Sequence, residues 1–127
     1  MARTEDIRLS VLITVVSGPK ALRRCLGALR AQLDTAHDEI IVPYDRWSRD
    51  VAALRADFPA VRFHFVDDPG GTASPGVGPH AHGLYERRRA VGLALARGAV
   101  VAMTEDHAVP AADWCRQILA AHEQGEA

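Results

Sequence analysis

Lysine is almost missing from this 127-residue chain: Lys20 stands alone among 15 lysine and arginine residues. The bias carries no functional argument. A surplus of either charge is missing too. The formal net charge is −1, which excludes a global field that would draw in nucleic acid or an anionic membrane. Cysteine is scarce. Cys25 and Cys115 are too few for a disulfide framework, and no CxxC pair offers a zinc site. Both lie in segments with amphipathic helical patterns, where they read as small core residues in a reducing, cytoplasmic compartment. No apolar run approaches the length of a membrane span. The first six residues are polar and lack the apolar stretch of a signal peptide. What is left is an ordinary globular composition, 48% hydrophobic and 24% charged, enough for one compact domain.

Strand and helix patterns alternate along the chain. Residues 9–16 (LSVLITVV) are apolar and β-branched, as in a strand buried on both faces. Ser17-Gly18-Pro19 opens a helix, and Leu22, Cys25, Leu26, Leu29 and Leu33 recur at helical spacing. Residues 39–44 (EIIVPY) form a second strand. Pro43 lacks a ladder donor, so this strand is expected to end there or to run along an edge. Ser48 suits the N-cap of a short helix through Val51, Leu54 and Phe58. Residues 61–66 (VRFHFV) alternate as a third strand, with His64 on the more polar face.

Residues 67–83 (DDPGGTASPGVGPHAHG) are rich in glycine and proline and predict a long irregular loop that orders over a ligand. A helix is expected from Leu84 to about Arg97, with Gly98 as its C-cap. The run 99–104 then reads as a buried strand, followed by a final helix from about Ala111 carrying Trp114, Cys115, Ile118 and Leu119. Such alternation predicts an α/β fold with a mainly parallel sheet of four strands and helices on both faces.

In open α/β sheets, ligands bind where the strands reach their carboxyl ends. Four such ends offer chemistry here: Val15 to Gly18; Tyr44, Asp45 and Arg46; Asp67 and Asp68; and Glu105, Asp106 and His107. Acid beside imidazole suits a divalent cation carrying a phosphorylated ligand. The plain alternative is a polar turn with Asp106 capping the next helix. Asp45 could accept hydrogen bonds from a base or ribose, or simply serve its own turn. Among Arg87, Arg88 and Arg89, one or two can face a cleft and clamp a pyrophosphate, since guanidinium matches phosphate oxygens bidentately. The others would be solvated. His80 and His82 could chelate a metal, or be solvated loop residues without a third ligand. The string 76–81 imitates a dinucleotide fingerprint but contains Pro79 and does not join a first strand to its helix.

Taken in order, these pieces resemble the donor-binding half of the inverting family-2 glycosyltransferases, with the GT-A fold. SVLITVVSGPKALRRCLGALRAQ is similar to the family's first strand and helix, with residues 14–17 standing in for its proline-threonine-tyrosine-asparagine tetrad. DEIIVPYD resembles the second strand, Tyr44 replacing the first of two aspartates and Asp45 keeping the second. RRAVGLALARGAVVAMTEDHAVPAADW resembles the block that carries the DxD motif, with Arg89, Gly92, Leu93, Gly98, Pro110 and Trp114 in register. At the DxD positions stand Glu105, Asp106 and His107.

The resemblance implies a nucleotide-diphosphate-sugar donor bound by Val15, Asp45, Arg89, Glu105 and Asp106. It implies a divalent metal, manganese or magnesium, held by Asp106 and His107. No residue matches the family's catalytic base, so the chain is expected to be a single domain lacking the acceptor-binding half. Its exposed sheet edge is expected to be apolar and to favour a homodimer. A non-catalytic nucleotide-binding module is the first alternative. A doubly wound signalling receiver is the second, although residues 13–17 lack the acidic pair it would need.

Overall fold

The computed structural model describes residues 6–67 and 79–125, with the backbone alone for residues 79–82. Four strands form one sheet: β1 (Leu9–Thr14), β2 (Asp38–Tyr44), β3 (Arg62–Phe65) and β4 (Val100–Glu105). Three α-helices accompany them: α1 (Pro19–Arg30), α2 (Pro79–Leu95) and α3 (Trp114–Glu123). A 3₁₀ helix, Arg49–Ala56, links β2 to β3. The order is β3-β2-β1-β4 and every pairing is parallel. The α/β fold class expected from strand-helix alternation is the one observed.

The strand patterns explain the layers. In β1 every residue is buried, as a central strand covered on both faces requires. Its odd-numbered residues Leu9, Val11 and Ile13 join Leu22, Cys25, Leu26 and Leu29 of α1, Val51 and Leu54 of the 3₁₀ helix, and Cys115 of α3 in one core. Its other face meets α2, which approaches so closely that a Cβ on Gly92 would lie 2.0 Å from Leu12 Cδ1. Burial pushes both Cys25 and Cys115 up to about 11, so these thiols are inert packing groups.

Several boundaries differ from the sequence expectation. Pro43 neither ends β2 nor lies on an edge, because β2 runs on to Tyr44 between β1 and β3. The Tyr44 carbonyl accepts from Val66 of the β3 side, so the alternating backbone turns Pro43 toward β1. The pairing with β1 has already ended there, at Leu12↔Ile41. The missing N–H therefore costs no ladder bond. Helix α2 begins at Pro79, five residues before the expected Leu84, since proline suits a first helical turn. The expected loop thus lies mostly outside the described residues. Gly98 is not a left-handed cap. Helix α2 ends at Leu95, and Gly98 is needed because a Cβ there would lie 2.6 Å from the Ser10 nitrogen.

Strand β4 is not the buried strand expected from its composition. Among the described strands it is an edge strand, and Val101 and Met103 are 38% and 54% exposed on the α2 face. Among the described residues, helix α2 packs over β1 and β2, and Val101 and Met103 of β4 stay exposed. No helix among the described residues is long and apolar enough to cross a membrane.

Candidate functional site

The chain runs from β1 outward through β2 to β3, then crosses back to place β4 on the other side of β1. The strand order therefore reverses between β1 and β4, and such a switch point opens a crevice at the carboxyl ends. Two clefts flank the end of β1, apart from a third at the ends of β2 and β3 lined by Tyr44, Arg49, Ala52 and Phe65. One, of about 200 Å³, is walled by residues 15–19, Trp47, Ser48, Asp50, Leu84, Tyr85 and Arg88. The other, of about 320 Å³, is lined by Thr14, Arg89, Met103, Thr104, Glu105, His107 and Ala108. A larger cavity, about 490 Å³, lies between α3 and the start of β4. It sits at the amino end of the strands, and its Arg8 is spent on Asp38 at 2.9 Å. We therefore place the candidate site at the two clefts that flank the end of β1.

Behind the first cleft, against its lining residues Trp47, Ser48 and Arg88, Asp45 is 3% exposed and fully engaged. Its Oδ2 accepts from Arg88 Nε at 2.7 Å and its Oδ1 from Arg88 Nη2 at 2.8 Å. Oδ1 also accepts from the Trp47 N–H at 3.0 Å and from the Ser48 hydroxyl at 3.2 Å. Ser48 does not cap the 3₁₀ helix with its side chain; its Oγ accepts from the Asp45 N–H instead. The third arm of Arg88, Nη1, donates to the Val15 carbonyl. Val15 thus walls the cleft with its backbone carbonyl already bonded, while its side chain is buried. The planar fork of arginine satisfies a planar carboxylate, the one arrangement in which two charges this deep are tolerable.

Asp106 is fully buried. Its Oδ1 accepts from the N–H groups of Val16 and Ser17 at 3.0 and 3.1 Å. Its Oδ2 accepts from Ser17 and Gly18, both at 2.9 Å. These amides lead into α1, whose N-cap, Gly18, has no side chain to offer and holds φ 113°. The carboxylate caps α1 from a residue far along the chain, and the helix dipole favours its charge. The plain expectation was a cap on the following helix; the helix capped is the first one.

Glu105 and His107 turn to the second cleft instead. His107 Nε2 lies 3.2 Å from Glu105 Oε2, and both side chains are about half exposed. Arg89 lines the same cleft. Of the residues expected to bind the donor, the structure brings Arg89 and Glu105 together in this cleft and puts Val15 and Asp45 at the other. Of the expected metal pair, His107 faces the cleft, while Asp106 is directed away into the α1 amides. Among the described residues no three His, Cys, Asp or Glu side chains form a metal-holding group. One carboxylate and one imidazole, open to solvent, still suit a cation that takes its other ligands from phosphate oxygens and water. The nitrogen donor favours manganese over magnesium. The side chains of His80 and His82 lie outside the described residues.

Sequence reasoning missed the role of Arg88, grouping it with its neighbours and choosing Arg89. The signal was present. Leu84, Arg88 and Gly92 are spaced i, i+4, i+8, so they share the helix face that meets the sheet. Trp47, Asp50 and Tyr85 were also missed as cleft-lining residues. Nothing in their local pattern marks them, since the cleft exists through the approach of α2 to the ends of β1 and β2.

An all-parallel sheet with a switch point at β1/β4 and polar groups converging there is an α/β, Rossmann-like arrangement. The solved structure of S. aureus TarS 1-349 is similar to it, with a TM-score of 0.64 at 16% identity. The match covers 93% of this chain and 33% of the TarS chain, so this chain spans about a third of that one. At this identity the likeness speaks for the fold. No family model and no curated protein matches the sequence.

Proposed function

We propose that this chain is the donor-binding part of a family-2-type inverting glycosyltransferase and binds a nucleotide-diphosphate sugar. One observation carries it: Arg89, Glu105 and His107 converge on an open cleft at the switch point of a glycosyltransferase-like fold. In this proposal Arg89 takes charge on the leaving diphosphate, which guanidinium can do bidentately. Glu105 and His107 would hold the divalent cation, which supplies further neutralisation of that charge. The base and ribose would occupy the neighbouring cleft between Trp47 and Tyr85. Asp45 and Asp106 serve this site by shaping it. The activity of a whole enzyme, with its acceptor and base, belongs to the proposal as well. So does a homodimer formed through β4, which sedimentation at two concentrations would read, and so does a cytoplasmic location, which the two buried thiols support.

A second reading is binding without turnover. The engagement of Asp106 by backbone amides supports it, because it leaves two side chains rather than three for a metal. The test is thermal unfolding with UDP, GDP, ADP and dTDP, each with and without manganese. Binding to the folded state alone stabilises by RT ln(1 + [L]/Kd), about 2.7 kcal/mol at 100 times Kd. Manganese is expected to increase the shift for one nucleotide. Glu105→Gln and His107→Ala are each expected to remove the manganese-dependent part. A manganese-dependent shift that persists unchanged in both variants, or no shift with any nucleotide, rejects the donor-site reading. A shift independent of manganese selects the second reading.

A further inference from the structure

Two buried charges at the carboxyl end of the sheet act on one short piece of backbone. Asp106, from the end of β4, accepts the N–H groups of Val16, Ser17 and Gly18. Arg88, from α2, donates to the carbonyl of Val15 and with its other two nitrogens holds Asp45 at the end of β2. The same four residues, 15–18, form a wall of the first cleft. Thr14, immediately before them, lines the second. Consecutive N–H groups turned one way make a cradle for an anion, and ligand phosphates often fill such cradles. Here the anion is built into the chain.

We propose that Asp106 and Arg88 are positioning residues: they clamp residues 15–18 through their N–H groups and the Val15 carbonyl and set a wall of the first cleft before any ligand arrives. The amide cradle at the start of α1 is thereby closed to phosphate. Whatever moves the end of β4, where Glu105 and His107 face the second cleft, is transmitted through Asp106 to the wall of the first. The physical basis is that charge-assisted bonds from buried groups are strong and directional. An asparagine in place of Asp106 would keep the shape but turn an NH₂ group toward N–H donors, opening one side of the clamp. The proposal goes beyond donor binding and stands without it.

The first measurement uses the unmodified full chain. Scalar couplings across hydrogen bonds are expected between the Val16, Ser17 and Gly18 amides and the Asp106 carboxyl carbon. The second is amide hydrogen exchange of Asp106→Asn. Exchange at residues 16–18 should accelerate at least tenfold more than at Leu12 and Ile13 of β1, as loss of a local clamp requires. In Arg88→Met the Val15 carbonyl carbon shift should move, reporting its lost donor. The third is affinity for the tightest-binding of UDP, GDP, ADP and dTDP, which Asp106→Asn should lower about tenfold with and without manganese alike. Absent couplings in the unmodified chain, or an acceleration spread evenly over β1 and residues 16–18, overturns the clamp. An affinity loss seen with manganese alone makes Asp106 a metal ligand and overturns it too. If no nucleotide binds the unmodified chain, the donor reading fails while couplings and exchange still decide this one.

Discussion

At the scale of single residues, the consequential groups are buried charges and the partners that make them tolerable. The Asp45–Arg88 pair, with both side chains 4% exposed, is bidentate and closed by further donors. Removing either partner leaves an uncompensated charge, which typically costs about 3–5 kcal/mol. Arg88→Met is therefore expected to lower stability by that order. The double variant Asp45→Asn/Arg88→Met should recover part of it, as denaturant unfolding in a double-mutant cycle would read. Glu39 presents a different case. Burial pushes its carboxyl up, but hydrogen bonds from Ser10 and from the Arg97 backbone and guanidinium outweigh that, holding it below its ordinary 4.5. A lowered folded value means the stabilisation is whole above about pH 4.5 and is lost as pH falls through the lowered value. Glu39→Gln is expected to lose about 1.5–3 kcal/mol at pH 7 and to show a flatter decline below pH 4.5, measured by urea unfolding at several pH values.

At the scale of elements, α2 and β4 decide what the site looks like. Helix α2 approaches β1 at Gly92, where Leu12 fills the space a side chain would need. Gly92→Ala should cost about 1–3 kcal/mol through overpacking, seen as a lower denaturant midpoint with an unchanged slope. The exposed side chains of β4 behave oppositely. Met103 is 54% exposed, so Met103→Lys should change stability by less than about 0.5 kcal/mol. It should also reduce any concentration-dependent association, because a charge on an edge strand discourages strand addition. Light scattering across a concentration series would check this. Unchanged association would clear the β4 edge of any part in it.

At the scale of the whole molecule, the fold places one cleft on each side of the end of β1. The strand order β3-β2-β1-β4 sets β1 between β2 and β4; residues 15–18 wall the first cleft and Thr14 lines the second. An α/β sheet of this kind leaves its strand carboxyl ends free for a ligand while its N-terminal end is stapled. Here the staples are Arg8 to Asp38 and Arg97 to Glu39. Glu39 lies at the end of the sheet opposite the two candidate clefts, so substitutions there should leave nucleotide affinity unchanged when measured well above pH 4.5.

The sequence by itself determined the elements and their alternation, because local patterns suffice for those. An unbroken apolar run such as 9–14 can be buried on both faces in a parallel sheet, and the leucine spacing of 22–29 suits one helix face and no strand. It also pointed to a candidate binding end, since acidic and basic residues stand at 45–46, 67–68 and 105–107, just past the expected strand ends. Tertiary structure alone decided which way each charge points. Asp106 meets amides roughly 90 residues earlier in the chain, and no local pattern foretells whether a carboxylate after a strand faces a cleft or a distant helix end. Arg88 and Arg89 are adjacent in sequence but about 100° apart around α2, so the docking of that helix on the sheet sends one to Asp45 and the other to the cleft. Pro43 escaped the rule for proline in strands for the same reason: the register between β1 and β2, a long-range property, ended one turn of the pleat before its missing N–H was needed.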